Sequence, residues 1–104
     1  MRQEQHERRS LETYGEPFAE VHEWLDQYYD LFTGPGHRRV FHHKKGVELA
    51  VRLFGEQVRG AAEQHIRDDL GKLPDFWEDL DYLFCPVRDG EEQDMDRLIA
   101  ELYG

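Results

Sequence analysis

The sequence predicts an all-α fold, a compact single-domain bundle of about five helices, on three observations. Apolar residues recur at steps of three and four along most of the chain, glycine and proline cluster between those stretches, and no run alternates apolar and polar residues long enough to make a strand. With 104 residues, an apolar fraction of 38% and 12% aromatics, there is material for one hydrophobic core. The expected division is a polar N-terminal helix or arm over residues 1–15 and one helical domain over 16–104 that ends in an acidic helix.

Residues 2–14 read as a polar helix with only Leu11 and Tyr14 to anchor it, so its first turns are expected to fray or lie on the surface and His6 to sit in solvent; Gly15 ends it. After Pro17, the residues Phe18, Val21, Leu25, Tyr28 and Phe32 form one apolar stripe, the strongest helical signal in the chain. Thr33-Gly34-Pro35-Gly36 makes a turn. A long helix is expected from about His37 to Phe54, with Val40, His43, Val47, Ala50, Val51 and Phe54 on one face and Leu49 and Leu53 round the far side, so that its second half is buried nearly all round. A third helix follows from about Ala61 to Leu70, closed by Gly71 in a left-handed cap with Pro74 beyond. Asp75 and Glu78 read as a capping box for a short helix carrying Phe76, Trp77, Leu80, Leu83 and Phe84, stopped by Cys85-Pro86. A turn at Asp89-Gly90 leads into a last helix, Glu92 to Tyr103, whose Met95, Leu98, Ile99 and Leu102 would dock on the chain's own core or on a second copy.

Charge narrows the partners. The net charge of -10 disfavours anionic lipid and nucleic-acid surfaces, and no stretch approaches the roughly 20 apolar residues that would span a bilayer. Cys85, the one cysteine, cannot close an intramolecular disulfide, and MRQEQHERRS lacks the apolar core of a signal peptide, so a cytoplasmic location is expected. Cys85, next to Pro86, reads as a packing residue, and Trp24, Trp77, Tyr28 and Tyr29 read as core or groove lining. From Asp75 to Glu101 ten acids face only Arg88 and Arg97, whereas Arg38, Arg39, Lys44 and Lys45 stand together without an acid among them. Those cations lie in the first half of the expected long helix, where they oppose its dipole, and so call for partners, either acidic helices or an anionic ligand.

The candidate chemistry is metal binding. His22 and His65 each have an aspartate four residues downstream, Asp26 and Asp69, and on a helix that spacing puts both side chains on one face. Imidazole nitrogen and carboxylate oxygen are donors that zinc, manganese and iron accept, so two such pairs on facing helices could enclose a divalent ion. The stretch between adds His37, His42 and His43, of which His43 lies within the apolar stripe and is the better inward candidate. Asp69 lies close to the stripe of Ile66 and Leu70, where a carboxylate needs a cation or donors. There is no adjacent His-Asp doublet, no glycine loop for phosphates and no zinc-finger cysteine spacing.

The segments His22-Glu23-Trp24-Leu25-Asp26, His37-Arg38 with His42-His43 and Gly46, Leu53-Phe54-Gly55, Gln64-His65, Asp69-Leu70-Gly71 and Pro74 are similar, in order and spacing, to a family of small His-rich bacterial and phage proteins classed as a domain of unknown function. The resemblance covers about residues 22–77. The chain departs from it in a shorter stretch between Phe54-Gly55 and Gln64-His65 and in an extended acidic C-terminus. The resemblance implies that His22, His37, His42, His43, His65 and Asp69 form one constellation, and it implies no activity. Two functions are therefore expected from the sequence: a metal-binding helical domain with an open coordination position that activates water, as in a metal-dependent hydrolase, or a non-catalytic acidic protein, phage-encoded, whose C-terminal third engages a basic protein partner.

Overall fold

Helical period and glycine punctuation produce six α-helices in the computed structural model, which describes residues 2–29, 31–32, 34–80 and 90–104. They are Gln3–Tyr14 (α1), Ala19–Leu25 (α2), Arg38–Phe41 (α3), Lys44–Phe54 (α4), Arg59–Leu70 (α5) and Glu92–Tyr103 (α6), with short 3-10 turns at Gly34–His37, Glu56–Val58 and Trp77–Asp79. No strand forms among the described residues, and the all-α single domain expected from the sequence is the fold found. Cys85, Leu83 and Phe84 lie outside the described residues.

Gly15 and Gly71 close α1 and α5 in the left-handed conformation, at φ 81° and 76°, each donating its N–H to the carbonyl four residues back. Helix α5 packs against α1, α2 and α4, and α6 lies on α3. The apolar core runs from Val21, Leu25 and Phe32 through Phe41, Val47 and Ala50 to Ala61, Ala62 and Ile66, and α6 adds Met95 and Ile99. Trp24 stacks on Phe41 with ring centroids 3.9 Å apart. The C-terminal helix thus docks through the apolar positions its sequence offered, onto its own chain.

Four expectations are corrected. The stripe from Phe18 to Phe32 is buried or packed on the core as expected, but the helix that carries it stops at Leu25: Asp26 N–H bonds to Glu23 and Gln27 N–H to Trp24, three residues back, and the chain leaves as a turn. The long helix from His37 to Phe54 is two helices. His43 adopts an extended backbone, φ -158°, and caps α4: its Nδ1 accepts from the Gly46 N–H at 3.2 Å while its Nε2 donates toward the Arg39 and Val40 carbonyls, each at 3.1 Å. Gly46 is required at this break, because a Cβ there would overlap the Phe41 carbonyl. Leu53 is 62% exposed, so the second half of α4 is not buried all round. Lastly, the expected cap at Asp75 and Glu78 falls instead to Asp79, whose carboxylate accepts from the Phe76 N–H, and among the described residues a 3-10 turn, Trp77–Asp79, follows.

The break at His42-His43 also answers the question of the cations. Lys44 pairs with Asp75 at 2.6 Å, and Lys45 stands 4.9 Å over the Phe76 ring. Arg39 is wholly buried and donates to the carbonyls of Trp77 and Leu80.

Candidate metal centre

Helix α1 has an inward face made of polar residues. Leu11 and Tyr14, its expected anchors, are 52% and 45% exposed, whereas His6 and Ser10, one turn apart, are 1% exposed and face α2 and α5. His6 is therefore buried and not solvated, a correction that the apolar pattern had no means to give. The only sequence signal for it is the spacing of His6 and Ser10, four residues apart on one helical face.

Four elements converge beside α1. The last turn of α2 supplies His22, and Asp26 follows as its C-cap. The turn Gly34–His37 supplies His37, the end of α3 supplies His42, and successive turns of α5 supply His65 and Asp69. At their centre the Nε2 of His42 lies 3.1 Å from Asp69 Oδ2 and 3.5 Å from Asp26 Oδ1. The Nε2 of His65 lies 3.3 Å from Asp26 Oδ1 and 3.4 Å from Asp69 Oδ2. Each imidazole nitrogen thus faces two carboxylate oxygens, and one N–H cannot point at both. The outer oxygen of Asp69 is 3.2 Å from His6 Nε2 and 3.8 Å from an Arg38 nitrogen, and His37 Nε2 is 3.0 Å from Asp26 Oδ1.

His65 is held from behind. His22 Nδ1 lies 2.8 Å from His65 Nδ1, and His22 Nε2 lies 2.6 Å from the Ser10 hydroxyl, which makes a buried chain Ser10–His22–His65 that ends on the carboxylates. His6 stacks on His65 with ring centroids 3.6 Å apart. A partner on the far nitrogen of an imidazole fixes its tautomer and ring orientation, as is usual for histidines that hold metal.

Of the seven residues singled out by the sequence, six are gathered here: His22, Asp26, His37, His42, His65 and Asp69. His43 is not. Buried though it is, it caps α4 and packs its ring on Phe76 and Tyr103, so the inward histidine of the pair is His42. His22 and Asp26 do not act as one unit either: Asp26 turns to His37 and His65, while His22 turns to Ser10 and His65.

Electrostatics follow from burial. Burial pushes the His22 and His42 imidazoles down to about 3 and His43 down to about 4, and lowers His65 as well, because the charged form loses its water. Burial alone would raise Asp26 and Asp69. Hydrogen bonds from His37 and His65 to Asp26, and from His42 to Asp69, outweigh it and hold both carboxyls well below the usual carboxylate range. The His22, His42 and His65 imidazoles are therefore held neutral and the two carboxylates ionised, the protonation states in which these side chains ligate metal.

The fold and centre define an all-helical domain built around a buried histidine–carboxylate cluster. Over residues 1–85 the chain matches the family described as Domain of unknown function (DUF6915), and it belongs to that family. The match takes in every residue of the centre, including α1 with His6, and stops before α6. No curated protein and no solved structure matches the chain.

Proposed function

We propose that the protein binds one divalent metal ion through Asp26 Oδ1, His42 Nε2, His65 Nε2 and Asp69 Oδ2. One observation carries this reading. A tetrahedral ion with bonds of about 2.0–2.1 Å to nitrogen and oxygen needs its ligand atoms about 3.3 Å apart, and the four nitrogen-to-oxygen separations in the cluster are 3.1, 3.3, 3.4 and 3.5 Å. All four atoms also lie within 4.8 Å of one another. Two carboxylates neutralise a divalent charge, and the mixed imidazole and carboxylate set suits zinc, manganese or iron.

The site opens at Asp26, whose side chain is 26% exposed while those of His42 and His65 are 0% exposed. A cleft of about 350 Å³ reaches Asp26 and Asp69 from that side. Four protein ligands complete a tetrahedral ion, so hydrolysis requires an ion that accepts a further ligand: manganese or iron with a water added on the open flank would acidify that water, the chemistry of a metal-dependent hydrolase, and that is the reaction class we propose. Elemental analysis of tag-free protein, with melting curves in zinc or manganese and in chelator, tests the metal site. Bound metal near one equivalent and a melting temperature raised by metal support it; absence of both overturns it.

A further inference from the structure

The cleft above the centre has a cationic wall. Arg38 reaches down from the start of α3 to within 3.8 Å of Asp69 Oδ1, and its Nε is buried without a hydrogen-bond partner among the described residues. Arg2 lines the same cleft, with Gln3, Tyr29 and His37. The chain carries a net charge of -10, so two guanidinium groups over one small opening run against its overall field. They are more than the carboxylates need once a metal is present: two carboxylates balance a divalent ion, and Arg2 and Arg38 then give the lining of the cleft a net positive charge.

A buried guanidinium N–H without an acceptor is costly and calls for an anion. The planar fork of arginine matches a tetrahedral oxyanion, and a cleft of about 350 Å³ lies at the small end of ligand pockets, which run from roughly 300 to 1,000 Å³. From these observations we infer that the cleft takes a phosphate group, free or as a small monoester, gripped by Arg38 and Arg2 with one oxygen directed toward the metal side of the cleft. This inference rests on the metal reading above and names the ligand class of that same site. A dianionic phosphate matches the two positive charges, whereas a neutral substrate would leave both guanidiniums unanswered.

The test uses inorganic phosphate as probe on the full chain loaded with manganese, with bound metal measured in the same sample. Calorimetric titration is expected to show saturable phosphate binding to metal-loaded wild type. Arg38→Gln should weaken it at least tenfold and Arg2→Gln by a smaller factor, while metal affinity is unchanged or raised because a cation near Asp69 has been removed. Arg38→Lys should restore part of the loss. Competition by phenyl phosphate would assign the ester as ligand, and failure to compete would assign the free ion; both support a phosphate site. Metal uptake without phosphate binding, or equal phosphate affinity in wild type and both glutamine variants, overturns the phosphate site alone. A preparation that takes up no metal overturns the metal reading and this inference with it.

Discussion

His42 and His43 are neighbours in the chain and both are 0% exposed, yet they enter two different interiors. His43 enters the interior shared by α3, α4 and α6, where its two nitrogens are spent on backbone groups and its ring packs against Phe76 and Tyr103. His42 enters the interior between α1, α2 and α5, where its Nε2 faces two carboxylates and its Nδ1 is buried without a hydrogen-bond partner among the described residues. Burial is the same in both places, so burial does not separate a structural histidine from a ligand. The partners do: a fixed backbone carbonyl consumes an imidazole, whereas carboxylates shared among several imidazoles leave room for a cation.

The largest expected effect is on metal response. At a free metal concentration about 1,000 times Kd, a site present only in the folded state adds about 4 kcal/mol, and for a domain of about 100 residues each kcal/mol moves the melting temperature by about 4–8 °C. Wild type should therefore melt more than about 15 °C higher in zinc or manganese than in chelator, and His65→Ala and Asp69→Asn should lose most of that difference. A wild type that melts at one temperature in both conditions breaks the contrast between the interiors.

The two adjacent histidines should then separate by variant. His43→Ala removes the cap of α4 and its carbonyl donor, so it should destabilise the protein in chelator by about 2 kcal/mol, the sum of a lost cap and a lost buried hydrogen bond, while keeping the metal shift. His42→Ala should lose the metal shift, and it carries its own cost in chelator because the buried Asp69 carboxylate loses a donor. Paired melting curves decide it, and identical behaviour of the two variants removes the distinction.

Acid should act next. His22 and His42 are pushed from an ordinary 6.5 down to about 3, and His43 to about 4. The unfolded chain therefore binds more protons between those values and 6.5, and the stability these histidines contribute is complete above pH 6.5 and lost as pH falls through that window. Each contributes about 1.4 kcal/mol per pH unit inside it. The depressed Asp26 and Asp69 carboxyls act in the same direction but lower, below their ordinary 3.8. Melting in chelator at pH 7.5, 6.5 and 5.5 should fall in the last step, and a flat profile would show that these histidines are not held neutral by burial.

The smallest effect belongs to Ser10. It touches His22 and not a proposed ligand, so Ser10→Ala should weaken metal binding by less than the roughly tenfold that loss of a direct ligand partner costs. Titration with a metal indicator would read it, and a tenfold or larger loss would place Ser10 nearer the metal than the geometry does.

The sequence by itself determined the helices that bury apolar residues and the points where glycine ends them. Periods of three and four and left-handed caps at Gly15 and Gly71 are local physics, and they were legible without a fold. It also determined that His65 and Asp69 share a face of α5, since both lie inside one helix. Only the tertiary structure decided the rest of the centre. His6 and Ser10 face inward because α1 lies on a polar interior, and a polar face leaves no apolar stripe to read. Asp26 joins His37 and His65 because α2 ends one residue earlier and frees the carboxylate to turn. His42 rather than His43 enters the cluster because the chain breaks between α3 and α4, where His43 satisfies three backbone groups and Gly46 permits the close approach to Phe41. Apolar periodicity reports which faces leave water; which polar groups meet inside depends on contacts between distant segments that no local pattern carries.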